Sequence, residues 1–134
     1  MKKFYLLILL LGLVLIVSGC SNQPVEFTEL YEGDLEKITK IHITDGGSGH
    51  TQELATPEKV NDFLNELSDV TFTPTGTDAD DITGVLYGVG FYEKDAEDPV
   101  FTMTTNIINE KEYKPSKDLG EMFQRYFELG EKVD

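Results

Sequence analysis

The chain has 134 residues, 25 of them acidic and 11 basic, for a formal charge of −14. That length suits one domain, is too short for two, and sustains a modest core without disulfide or metal staples. The acidic field repels phosphate backbones and anionic head groups, which argues against partners of the nucleic-acid type and against electrostatic membrane binding.

Met1, Lys2 and Lys3 make a short positive start, and Phe4 to Val17 is apolar apart from Gly12. This is the order of an export signal. As a helix those residues cover about 21 Å, against a hydrocarbon core near 30 Å, so the run is too short for a comfortable span. Val17, Ser18, Gly19 and Cys20 follow, and together they resemble the lipobox of bacterial lipoproteins. The resemblance implies that the Cys20 thiol receives a diacylglyceryl group, that residues 1–19 are removed as a signal peptide, and that the protein is held at the extracytoplasmic face of the cell membrane. Cys20 is the single cysteine, so it has no partner for an internal disulfide. Two acyl chains give stable anchoring without a spanning helix. Removal of residues 1–19 takes Lys2 and Lys3 with it, leaving nine basic against 25 acidic residues, a net −16.

Residues 20–37 read as the lipid-anchored N-terminus and tether, although Val25 to Glu36, acidic with scattered apolar residues, also suits an edge segment packed on the domain. Residues 38–134 read as the domain itself. Ile41 and Ile43 alternate with His42 and Thr44 as in a half-buried strand, Asp45 to Gly49 supply a turn, and His50 to Ala55 returns. Thr56 and Pro57 open a helix in which Val60, Phe63, Leu64 and Leu67 form one apolar stripe. Val70 and Phe72 make a short extended piece that ends at Pro74, and Thr75 to Thr83 is a polar loop.

Gly84 to Tyr92 reads as a long strand with Val85, Tyr87, Val89 and Phe91 on one face and Leu86, Gly88, Gly90 and Tyr92 on the other. The two glycines suggest close packing of that face against a helix or another backbone. An acidic hairpin loop from Glu93 to Pro99 leads to a strand at Val100 to Thr105. Ile107 and Ile108 continue into another strand, and Asn109 to Lys111 turn the chain before Glu112 to Lys114. Leu119, Met122, Phe123, Tyr126 and Phe127 then mark a second amphipathic helix that stops at Gly130. The expected class is α+β, an antiparallel sheet of five to six strands with two amphipathic helices packed on one face. "TDGGSGHTQ", "ITGVLYGVGFYEKD" and "NIINEKEYKP" resemble a group of small lipoproteins of Gram-positive bacteria, a likeness that carries fold and location but no site motif.

Signals for chemistry are sparse. His42 and His50 on neighbouring strands, with Asp45 or Glu53, fall short of a zinc ligand set, and no metal or cofactor is expected. Asp78, Asp80 and Asp81 form an acidic loop that can attract calcium, but Thr83 and Val89 occupy the places where an EF-hand has glycine and glutamate. Ser48 and His50 in "GSGHT" lack the nucleophile elbow of a hydrolase, so no catalytic residue is expected. Tyr92 and Tyr113 are the aromatics least explained by a core and serve as the expected recognition surface. The reading is a non-enzymatic binding or protein-interaction domain for an exported protein or cell-wall component. The alternatives are a calcium-responsive domain using its acidic loops and an inhibitor of an extracellular hydrolase.

Overall fold

The computed structural model describes residues 22–81, 84 and 86–133, together with Lys3. Val17, Ser18, Gly19 and Cys20 lie outside the described residues. None of the described helices is long and apolar enough to cross a membrane.

The elements in chain order are β1 (Val25–Glu26), α1 (Phe27–Leu30), β2 (Ile38–Asp45), β3 (Thr51–Leu54), α2 (Pro57–Ser68), β4 (Thr71–Asp78), β5 (Tyr87–Glu93), β6 (Phe101–Thr104), β7 (Ile107–Ile108), β8 (Lys111–Pro115), α3 (Leu119–Leu129) and β9 (Glu131–Lys132), with single 3-10 turns at Leu35–Lys37 and Ala79–Asp81. Among the described residues, nine strands form one antiparallel sheet in the order β1-β4-β8-β7-β6-β5-β2-β3-β9. The class is therefore α+β, with more strands than the expected five to six and a third helix. Three of the strands are two residues long, too short to show any period.

The helices form where their ends can be satisfied. Thr56 Oγ1 accepts from the Lys59 amide, with Pro57 at the first helical position, and Asp118 Oδ1 accepts from the Glu121 amide at the start of α3. Both helices lay their apolar stripes on the face of the sheet that carries Ile41, Ile43, Val89, Phe91 and Met103, all buried. Phe63 is the meeting point, 6.1 Å from Phe91, 5.7 Å from Phe123 and 5.0 Å from Tyr126 between ring centroids. α3 ends at Gly130, where the backbone turns extended, and the position has no room for a side chain, since a Cβ would sit 2.8 Å from Gln52 Cβ on β3.

The tether expected over residues 20–37 gives way to the packed alternative. Val25 pairs with Phe72 and Glu26 with Thr71, so β1 forms one edge of the sheet. Phe27 is 0% exposed and its ring lies 5.7 Å from Phe91 and 5.8 Å from Phe101, with Tyr31 stacked on it at 6.2 Å. The domain thus begins near Val25.

Pro74 does not end a strand, contrary to expectation, and β4 runs on through Thr75 to Asp78. The Tyr113 amide donates to Asn106 O, away from β4, so Pro74 and Tyr113 face each other as a non-hydrogen-bonded pair and the proline nitrogen points outward. Among the described residues no strand flanks β4 on that side beyond Phe72, so the missing donor costs no ladder bond there. Gly76, at φ +83°, accommodates the register shift between Pro74 and Asp78. Between β7 and β8, Asn109 and Glu110 both have positive φ, as a two-residue type I′ hairpin requires.

One polar clamp ties the helices together. Arg125 donates through both terminal nitrogens to Glu66, at 3.0 and 2.7 Å, and the Tyr126 hydroxyl donates to Glu66 Oε2 at 2.8 Å. The Arg125 hydrogen bonds hold the Glu66 carboxyl below its usual range, whereas burial and the Glu66 hydrogen bond push the Tyr126 phenol up to about 12.

Two outcomes follow. Phe27→Ala removes a core ring contributed by the N-terminal segment and should cost about 3–5 kcal/mol in denaturant unfolding, whereas a segment outside the domain would leave the midpoint unchanged. A depressed carboxyl stabilises the fold above its unfolded pKa, about 4.5, and that contribution is lost as pH falls through the lower folded value. The melting-temperature gap between wild type and Glu66→Gln should therefore be constant above about pH 5.5 and close on further acidification.

Candidate functional site

Helices cover one face of the sheet, and the opposite face carries the side chains that alternate with the core. Register brings them into two rows. Thr104 (β6), Gly88 (β5), Thr44 (β2) and Thr51 (β3) form one, and Thr102, Gly90, His42 and Glu53 form the other. With Ile107 and the loop residues Ala79, Pro99, Asn109 and Glu110 at its borders, this face forms an open trough of about 1010 Å³.

Paired polar groups stand along the trough. His42 Nε2 and Glu53 Oε2 are 2.8 Å apart, and the Thr44 and Thr51 hydroxyls share a 2.8 Å hydrogen bond. Thr104 Oγ1 accepts from the Ile107 amide and holds the turn into β7. Tyr92 closes one end: its ring packs 4.5 Å from the His42 ring, and Lys40 Nζ lies 4.6 Å from its centroid.

The two glycines of β5 have different reasons to be there. A Cβ on Gly90 would lie 3.3 Å from the Tyr92 ring and 3.4 Å from Pro99 Cβ, so Tyr92 leans over it. A Cβ on Gly88 would meet nothing within 4 Å. The expected close approach of a helix or a second backbone to this face is therefore absent at Gly88, where bare backbone forms the trough floor. β5 is also shorter than expected, starting at Tyr87 after an exposed Leu86, and Val85 lies outside the described residues.

The remaining expected site residues fall elsewhere. Tyr113 is not a recognition residue: it is buried, edge-on to Phe72 at 6.4 Å, because its position on β8 turns it to the helix face. His50 is exposed beyond the end of β3 and shares with His42 only a shallow hollow that Lys132 also borders. Ser48 belongs to the turn: its hydroxyl donates to Asp45 Oδ2 at 2.9 Å and accepts from the His50 amide at 3.3 Å. The Gly47 amide and the Ser48 hydroxyl hold the Asp45 carboxyl below its usual range. These bonds knit a hairpin turn and bring no histidine ring to the serine.

Asp78 is the register partner of Lys111, and Asp80 follows on a 3-10 turn; the Asp81 side chain lies outside the described residues. Among the described residues, no group of three histidine, cysteine or carboxylate side chains is placed to share a metal ion. The threonines were missed from sequence although their signal was present, at the polar alternate positions of strands whose other face was assigned to the core.

Space above Gly88 makes a direct prediction. Gly88→Val should keep or raise the melting temperature, since a β-branched residue suits a strand and replaces a flexible one. Gly130→Val should lower it, and scanning calorimetry on the two variants compares them.

Protein-family models, curated proteins and solved structures were all compared with the chain, and none matches.

Proposed function

We propose that this protein is a lipid-anchored binding module at the extracytoplasmic face of the cell membrane, acylated on Cys20, which offers the open face of its sheet to a ligand or partner. The address rests on the order of charge, apolar run, small residues and cysteine in the first 20 positions. The binding role rests on the trough, a broad face of mixed apolar and polar lining that the described helices leave uncovered and that is floored at Gly88 by backbone alone. An exported protein or a cell-wall component is the class of partner such a location makes available.

Cys20→Ala should move the protein from the membrane fraction into a soluble or unprocessed form with an unchanged melting temperature. Undiminished membrane fractionation would sink the anchor. A photo-crosslinking residue placed at Thr102 in the trough should capture a specific product on intact cells, and the same residue at the exposed Lys117 should not. Equal capture from both positions would remove the trough as the binding face.

A further inference from the structure

We infer that the trough accepts a single uncharged glycan strand; this rests on the binding role proposed above and names the chemistry of the ligand. The first argument is charge. The chain carries 25 acidic residues, yet this face presents two carboxylates, Glu110 at the border and Glu53, which is already paired with His42 at 2.8 Å. An anionic polymer is repelled by the surrounding field before it arrives, and a cationic one finds little to pair with once inside. An uncharged, hydroxyl-bearing ligand is the one that this lining complements.

The second argument is hydrogen bonding. β5 is paired along Gly88 to Phe91 with β2 on one side and β6 on the other, so its backbone donors and acceptors are consumed within the sheet. An extended peptide laid on this face would find no ladder to join. Peptides add to sheet edges, and this is a sheet face. A glycan brings side hydroxyls instead, and these match the Thr44–Thr51 hydroxyl pair, the Thr102 hydroxyl and the His42–Glu53 pair. Its apolar ring faces can lie on the bare floor at Gly88, with the Tyr92 ring, covered by Lys40 and packed on His42, bounding that floor at one end.

The third argument is width. From β6 to β2 is two strand spacings, about 9.6 Å between backbones, with Thr102 and Thr104 on one side of the glycines and Thr44 on the other. That admits one strand of sugar rings.

The test uses the full chain, in a detergent without a sugar head group, titrated with chitohexaose, cellohexaose and maltohexaose while backbone amide resonances are followed. Saturable shifts centred on Thr44, Gly88, Tyr92 and Thr102 with at least one of these probes support the inference. Gly88→Val, which fills the floor without disturbing the fold, should weaken that binding by about tenfold or more. Tyr92→Ala should weaken it as well. No saturable shift from any of the three at about 10 mM overturns the glycan assignment while leaving the crosslinking result at Thr102 to stand or fall separately. Equal affinity in Gly88→Val overturns the placement. Shifts at the same amides from a peptide of a crosslinked protein, with none from the glycans, reassign the trough to protein recognition.

Discussion

One-sided burial governs this molecule. A single antiparallel sheet has two faces, and the described helices cover one of them, so strands such as β2 and β5 present apolar side chains at alternate positions. Phe63 of α2, Phe91 of β5 and Phe123 of α3 concentrate the covered side into an aromatic centre. Phe27 extends that centre to the N-terminal segment, which is why residues ahead of β2 are held in the fold. The same alternation that builds the core leaves threonines, glycines and a histidine–glutamate pair on the other side. Core and trough are thus two readings of one pattern, and neither can be changed in register without the other.

Elements with a full period were legible in the sequence. Val60, Phe63, Leu64 and Leu67 mark α2, Leu119 to Phe127 mark α3, and Ile41 with Ile43 marks β2, because each repeats its apolar residue over a complete turn or pleat. What was not legible has physical reasons. A two-residue strand such as β1 or β7 exists only because a neighbour offers it hydrogen bonds, and nothing local announces that. Pro74 looks like a stop, and only the pairing of Tyr113 with Asn106 shows that its nitrogen needs no partner. Tyr113 itself looked surplus because β8 is short and its facing was fixed by β4, not by its own sequence.

The site was half visible. Gly88 and Gly90 stood out as a thin side of β5, but sequence could not separate a glycine crowded by Tyr92 from one facing open space. His42 and Tyr92 were singled out individually, and the register that sets them beside Glu53 and Thr102 came only with the sheet. A constellation spread over β2, β3, β5 and β6 has no spacing rule in the chain.

The position of β1 sets how far the domain can wander. Its first residue is Val25, and from there back to position 20 is five residues, at most about 17 Å of extended chain. Were Cys20 acylated as proposed, that leash would be shorter than the thickness of the membrane it hangs from. So anchored, the module would survey only the layer next to the lipid surface, at a high local concentration and without lateral freedom beyond that of its anchor. Partners would have to come to it within that layer, so location would do part of the work of selecting what it meets.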